Sequence, residues 1–280
     1  MPLKLMYITN RPDVAMVAQE VGVDRIFIDM EYIGKQERQP GDTVKSFHTT
    51  QDVANVKKVL TKSELLVRVN PITQASDEFC GSEKEIENTI QAGADIIMLP
   101  MFKTKNEVEQ FVKYVGGRAK TMLLFETKEA TKNIDEILEI PGIDLIHIGL
   151  NDLHLAYNKK FMFELLVDGT VESLSKKILK HNIPYGFGGI ARIGLGMLPS
   201  EHVIAEHYRL GSTAAILSRS FCNIANITDI NEIKALFEQG MADIRDYEKT
   251  LENYTKTDFE ENRVKTAELV EKIRHSIGGN

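Results

Sequence analysis

Short apolar segments alternate along the chain with segments whose apolar residues have helical spacing, and this alternation most constrains the fold. Each apolar segment is nearly continuous in its centre and rich in β-branched residues, which is typical of strands buried on both faces. Eight strands are predicted, at residues 3–9, 25–30, 64–69, 95–101, 120–126, 145–149, 184–189 and 213–219. Because alternating strands and helices give parallel strands with right-handed crossovers, we predict an α/β protein.

The segments between the strands predict helices that return the chain to the next strand. Helices are predicted at residues 13–21, 50–60, 83–92, 105–115, 128–139 and 161–181. Glycine-containing turns such as Gly93-Ala94-Asp95 separate several of these helices from the following strand, and glycine is common where a helix ends. Eight such units favour a closed (β/α)8 TIM barrel.

An open doubly wound sheet is the alternative fold. A dinucleotide-binding sheet would carry G-x-G-x-x-G after the first strand, where this chain has Asn10-Arg11-Pro12. We therefore predict a barrel catalytic domain at residues 1–228. Residues 229–280 are predicted to form a C-terminal helical extension that packs on the barrel or on a neighbouring subunit, because a barrel needs a single final helix.

Composition excludes several classes of function. The formal net charge is −7 and no basic stripe is present, which argues against nucleic acid and anionic membrane surfaces as partners. The two cysteines, Cys80 and Cys222, lie far apart and form neither a disulfide framework nor a zinc pattern. No apolar run reaches about 18 residues and no signal peptide is evident, so we expect a cytoplasmic protein.

Charged residues lie at the predicted carboxyl ends of the strands, where barrel enzymes carry their active sites. Glu126 and Asp152 close adjacent strands, and two such carboxylates repel each other unless a cation or proton lies between them. Their hard oxygen atoms suit Mg²⁺ or Mn²⁺. The alternative is that each carboxylate caps the helix that follows it.

Arg68, at the end of the third predicted strand, has two interpretations as well. It can clamp a substrate carboxylate or stabilise a developing enolate oxygen, or it can form an ion pair with Glu31 or Asp29. Imine chemistry is disfavoured, because the strand lysines Lys4 and Lys120 lie near the amino ends of their strands.

Five segments, which read DRIFIDMEY, LLVRVNP, IQAGADIIMLP, LLFETKEA and IPGIDLIHIGLNDL, occur in this order over residues 24–153. Together they make the chain resemble the HpcH/HpaI aldolase and citrate lyase β-subunit superfamily of metal-dependent barrels. The resemblance implies a metal site formed by Glu126 and Asp152. It also implies that Arg68 contacts a 2-oxo acid substrate. It further implies catalytic roles for Arg68, Glu31 and Asp29. Substrate-binding roles are implied for Gly93, Ala94, Pro100 and Asn151, together with Arg68.

Two positions depart from the pattern of that superfamily. Tyr32 follows the acidic residue of the second-strand motif, where the aldolase branch carries histidine, and Leu150 occurs where many relatives have proline. The catalytic base is therefore left open among Glu31, Asp29, His48 and a metal-bound water.

The resemblance implies a class II carbon–carbon lyase that cleaves or forms a 2-oxo acid or hydroxy acid through a pyruvate-type enolate stabilised by Mg²⁺ or Mn²⁺. One alternative is a lyase of malyl- or citramalyl-type thioesters, similar to citrate lyase. Another is a barrel that binds a ligand without catalysis. We expect a small-molecule substrate and no nucleic-acid or membrane partner. We also expect a homo-oligomer, either a trimer or a hexamer.

Overall fold

The computed structural model describes residues 1–35 and 48–277. Its eight strands follow one another around a closed barrel, in the order of the chain. The strands are β1 (Lys4–Ile8), β2 (Arg25–Asp29), β3 (Glu64–Arg68), β4 (Ile96–Leu99), β5 (Lys120–Phe125), β6 (Leu145–Ile148), β7 (Tyr185–Ile190) and β8 (Ala214–Leu217). The barrel prediction is confirmed, and the open-sheet alternative is wrong.

Twelve helices lie in the described part of the chain. They are α1 (Pro12–Glu20), α2 (Thr50–Lys57), α3 (Ser82–Gln91), α4 (Lys105–Val115), α5 (Lys128–Lys132), α6 (Ile134–Leu138), α7 (Leu150–Ala156), α8 (Glu164–Val167), α9 (Thr170–Lys180), α10 (Ser200–Leu210), α11 (Ile230–Leu251) and α12 (Lys256–Ile277). Within the described residues, no helix combines the length and the apolar character needed to cross a membrane.

Some predicted helices are divided in the structure. The predicted helix 128–139 is interrupted at Asn133, and the predicted helix 161–181 is interrupted at Gly169, whose φ of 88° lies in the left-handed region. Helix α7 was expected only in the capping alternative for Asp152, and it begins before that residue. A polar insertion follows β2 in the sequence at residues 33–49, and its residues 36–47 lie outside the described residues.

The chain divides into two compact units, which we name by their strands. The β2–β5 unit comprises Tyr7–His147, and the β7–β8 unit comprises Met1–Met6 together with Ile148–Asn280. In the β2–β5 unit, neighbouring strands pair in parallel, and Asp29 lies opposite Arg68 at the carboxyl ends of β2 and β3. Because the strands are apolar in sequence and buried in the structure, this end of β2 and β3 rests on a rigid core.

The C-terminal extension packs within the β7–β8 unit. On α11, Glu248 accepts a hydrogen bond from the backbone N–H of Leu3 at 2.7 Å, and Arg245 donates to the Leu3 carbonyl at 3.0 Å. On α12, Asn262 contacts His202 of α10 at 2.8 Å. The extension therefore binds the first strand segment and a barrel helix, and the domain boundary at residue 228 stays a prediction.

Candidate active site

Buried charged side chains gather at the carboxyl ends of β2 and β3. Arg68 donates from Nε to Asp29 Oδ1 at 2.8 Å and from Nη2 to Asp29 Oδ2 at 2.9 Å. Its Nη1 lies 3.3 Å from Glu31 Oε2. Asp29 and Glu31 are 3% and 1% exposed, so these are buried ion pairs. The ion-pair interpretation of Arg68 therefore holds with both carboxylates, and the planar guanidinium is fixed in orientation.

A second cation, Lys35, joins this cluster. Its Nζ lies 2.6 Å from Asp29 Oδ2 and 3.3 Å from the Glu31 carbonyl oxygen, and its side chain is buried. Two acidic and two basic side chains thus compensate one another's charge in a buried environment, as buried charges require. We call Asp29, Glu31, Lys35 and Arg68 the charge cluster.

The electrostatics of the charge cluster decide which of its members can accept a proton. Burial by itself would raise the pKa of Asp29, but the charges and hydrogen bonds of Arg68 and Lys35 outweigh it and hold that pKa well below its usual range. A carboxylate held in this way is a poor proton acceptor. Asp29 is therefore better suited to orient Arg68 and Lys35 than to act as a base.

Glu126 follows β5 and is 3% exposed. Its Oε1 accepts a hydrogen bond from the backbone N–H of Met101 at 3.2 Å, and Met101 has a φ of 54°, which is uncommon for a residue other than glycine. The interpretation of Glu126 as a helix cap is wrong, because α5 is capped by Thr127, whose side chain accepts from the Ala130 N–H at 3.1 Å. Together with Asp29 and Glu31, Glu126 raises the pKa of Arg68 against the effect of burial.

The remaining carboxylate, Asp152, belongs to the β7–β8 unit. It lies in the first turn of α7, which begins after Gly149, so Asp152 is not the N-cap of that helix either. Leu150 departs from the family pattern and is 1% exposed. Its side chain packs against Gly188 of β7, where a Cβ atom would lie only 2.8 Å from Leu150 Cδ1. Asn151 is exposed.

His48 contacts the main chain of Asp29 twice. The ring Nδ1 of His48 accepts a hydrogen bond from the Asp29 backbone N–H at 3.0 Å. The backbone N–H of His48 donates to the Asp29 carbonyl at 3.4 Å. Burial lowers the pKa of His48, which favours the neutral ring. Since Nδ1 accepts this bond, the neutral ring carries its proton on Nε2, and proton uptake at Nδ1 would break the bond.

Two predicted site residues lie elsewhere. Gly93 and Ala94 form the turn before β4, at its amino end, whereas Pro100 follows its carboxyl end. Gly93 has a φ of 106° and its N–H bonds to the Ile90 carbonyl, so it serves a helix-ending turn. The predicted substrate-binding role of Gly93 and Ala94 is therefore wrong, because both residues lie at the end of β4 opposite to Pro100.

Three buried residues at this end of the strands were not singled out from the sequence. Lys35 lies in the polar insertion, Glu85 lies in the first turn of α3, and Asn70 is the asparagine of the VRVNP segment, two residues after Arg68. Asn70 and Glu85 bond to each other, and Asn70 Oδ1 accepts from the Tyr32 N–H at 2.9 Å. The position of Asn70, shortly after Arg68 in the VRVNP segment, is the sequence signal that could have identified the Asn70–Glu85 pair.

A divalent ion is held by several oxygen or nitrogen donors that converge on one point. In the described ranges 1–35 and 48–277, no group of three or more His, Cys, Asp or Glu side chains is arranged to hold a metal ion. Mg²⁺ is often bound by one or two carboxylates, with substrate oxygens and water completing its shell. The buried carboxylate of Glu126 is an oxygen donor of the kind that this chemistry uses.

The fold and the charge cluster define a (β/α)8 barrel with ionised side chains at the carboxyl ends of its strands. The family model of the HpcH/HpaI aldolase/citrate lyase family matches residues 4–161, which is more than half of the chain. The protein therefore belongs to the HpcH/HpaI aldolase/citrate lyase family, and its resemblance to that superfamily is confirmed.

Two solved structures of the same fold are distant in sequence from this chain. The crystal structure of an HpcH/HpaI aldolase from Desulfitobacterium hafniense DCB-2 superposes with a TM-score of 0.61 at 14% identity, over 91% of this chain and 95% of the other. An HpcH/HpaI aldolase/citrate lyase family protein from Burkholderia cenocepacia J2315 gives a TM-score of 0.60 at 15% identity, over 83% and 95%. No curated protein sequence matches the chain significantly.

Proposed function

We propose that this protein is a metal-dependent carbon–carbon lyase that cleaves or forms a 2-oxo acid or hydroxy acid through a pyruvate-type enolate. Family membership supports a lyase-type function. The observation that carries the finer proposal is the buried charge cluster, in which Arg68 is fixed at the end of β3 by Asp29 and Glu31. A barrel that only bound a ligand would have little use for ionised groups buried in pairs at this end of its strands.

Glu126 and Asp152 are the proposed ligands of Mg²⁺ or Mn²⁺. When bound, the ion supplies a Lewis acid that polarises the oxygens of a 2-oxo acid. Glu126 is held by the Met101 N–H, so its carboxylate is oriented before any ion arrives. Pro100 precedes Met101 and belongs to the same turn, which the proposal assigns to substrate binding together with Asn151.

Arg68 supplies a fixed positive charge. Two of its N–H groups are bonded to Asp29, so the guanidinium does not reorient when negative charge develops on the substrate oxygen. Lys35 compensates the second oxygen of Asp29, which keeps that carboxylate in place. Asp29 thereby acts as a positioning residue for Arg68.

Glu31 is the proposed proton acceptor. Proton uptake by Asp29 or by Nδ1 of His48 would break the bonds that hold those groups. The Glu31 carboxylate is buried and lies at 3.3 Å from Arg68, a longer distance than the Asp29 contacts. In the cleavage direction it takes the proton of the substrate hydroxyl as the carbon–carbon bond breaks, and a base positioned in this way contributes about 10²–10⁴-fold.

The proposal is tested with Glu126→Gln and Asp152→Asn, assayed for decarboxylation of oxaloacetate and for cleavage of hydroxy-oxo acids with Mg²⁺ and with EDTA. Each variant is expected to lose at least about 100-fold in rate, because Lewis-acid stabilisation is worth several kcal/mol. The matched control is Glu129→Gln, at an exposed position in the same helix that follows Glu126.

Unchanged rates in EDTA, or in both variants, would contradict the metal-dependent mechanism. Comparing a free acid with its thioester in the same assay decides between the two substrate types that the family resemblance leaves open.

A further inference from the structure

Asn70 connects two segments at the carboxyl ends of β2 and β3. It is 0% exposed and directly follows Val69. Its Oδ1 accepts hydrogen bonds from the backbone N–H groups of Tyr32 at 2.9 Å and Ile33 at 3.0 Å. These two amides immediately follow Glu31, the proposed proton acceptor.

Glu85 fixes the orientation of the Asn70 side chain. Its Oε1 accepts from Asn70 Nδ2 at 2.6 Å, and its Oε2 accepts from the Asn70 backbone N–H at 3.0 Å. A carboxylate can only accept while it is ionised, so Nδ2 must face Glu85 and Oδ1 must face the two amides. Burial raises the pKa of Glu85, and the two bonds from Asn70 oppose that rise.

The segment held by Asn70 carries two members of the charge cluster. The Tyr32 carbonyl accepts from the Lys35 N–H at 3.2 Å, which closes a short turn. Lys35 then reaches from this turn to Asp29 and to the Glu31 carbonyl. The backbone positions of both Glu31 and Lys35 therefore depend on the bonds that Asn70 makes to Tyr32 and Ile33.

We propose that Asn70 and Glu85 form a positioning pair that sets the geometry of Glu31 and Lys35 for the lyase reaction. This inference deepens the proposed function and rests on it. Neither side chain contacts substrate in this account: Glu85 acts through Asn70, and Asn70 acts through the 32–33 backbone. Groups in such outer positions typically change activity by about 10–100-fold when they are altered.

The pair allows a reciprocal substitution that keeps every bond. Asn70→Asp alone places two buried carboxylates next to each other, with no proton donor between them. Glu85→Gln alone replaces one accepting oxygen with an NH₂ group, which then faces one of the two N–H donors of Asn70. In Asn70→Asp/Glu85→Gln, the new glutamine donates from its amide to one oxygen of the new aspartate and accepts from the backbone N–H of residue 70. The second aspartate oxygen still accepts from the Tyr32 and Ile33 amides.

We expect each single variant to lower kcat by about 10–100-fold with a smaller change in KM, and the double variant to recover most of that loss. Hydrogen exchange at the Tyr32 and Ile33 amides should be faster in the single variants and slow again in the double variant. The matched controls are Asn253→Asp and Glu83→Gln, at exposed positions, which should keep the wild-type kcat.

Well-folded single variants with wild-type kcat would overturn the proposal, and so would a folded double variant that stays as impaired as the single ones. If the single variants fail to fold, recovery of folding and kcat in the double variant supports the pair. A wild-type protein without lyase activity would instead refute the proposed function. The amide exchange measurement would still report whether Asn70 and Glu85 hold the 32–33 backbone.

Discussion

At the scale of single residues, the decisive feature is the balance of charge around Asp29. One buried carboxylate accepts from two cations, Arg68 at 2.8 and 2.9 Å and Lys35 at 2.6 Å. Removing one partner from a buried ion pair leaves the other charge uncompensated, which costs far more than losing a surface pair. Asp29 is therefore expected to matter for stability as well as for the orientation of Arg68.

Asp29→Asn should lower the free energy of unfolding by about 3–5 kcal/mol at neutral pH, measured by urea denaturation. Asp13→Asn is the control, because Asp13 pairs with Arg11 near the surface, where such a pair contributes about 1 kcal/mol or less.

The stability that Asp29 contributes should also depend on pH in a defined direction. Its pKa is lower in the folded protein than in the unfolded chain, so the contribution is complete above the unfolded pKa and is lost as pH falls toward the folded value. The difference between wild type and Asp29→Asn should thus shrink below about pH 4. A difference that grew on acidification would contradict the charge assignment.

At the scale of elements, the hydrophobic pattern predicted the eight strands because the strands are nearly continuously apolar and buried in their centres. The residues at the strand ends followed from that assignment, which is why Asp29, Arg68 and Glu126 were identified. Asn70 was not assigned a role, because its contact to Tyr32 joins residues 38 positions apart and depends on the register between β2 and β3. Lys35 was not assigned a role either, because its contacts to Asp29 and Glu31 depend on the turn that follows β2. Local periodicity carries no information on such contacts.

Strand β7 gives a prediction at this scale. A Cβ on Gly186 would lie 2.3 Å from the Ala214 carbonyl oxygen of β8, and backbone cannot move aside as a side chain can. Gly186→Ala should therefore cost about 1–3 kcal/mol or more in unfolding free energy, as overpacking does. Gly189→Ala is the control in the same strand, since its nearest contact would be at 3.3 Å. Equal stability of the two variants would show that β7 and β8 adjust to the added methyl group.

At the scale of the whole molecule, the barrel persists at 14–15% identity to solved members of its family. A fold of this kind depends on the alternation of strands and helices, which many sequences satisfy, whereas chemistry depends on a few side chains at the strand ends. Family membership therefore defines the lyase class, and the specific reaction has to come from the residues at those ends. Tyr32 illustrates the difference. It occupies the position where the aldolase branch carries histidine, it is 47% exposed, and its ring contacts Phe79.

The central claim is that the protein forms a pyruvate-type enolate with the help of a divalent ion, and an enolate of pyruvate exchanges its methyl protons with solvent. The most direct measurement is exchange of the pyruvate methyl protons for deuterium, followed by NMR in D₂O with Mg²⁺ and with EDTA. The account predicts exchange above background that requires Mg²⁺, falls at least about 100-fold in Glu126→Gln and in Asp152→Asn, and is unchanged in Glu129→Gln. Exchange at the wild-type rate in EDTA or in both carboxylate variants, or its absence from the wild-type protein with Mg²⁺, would contradict the account.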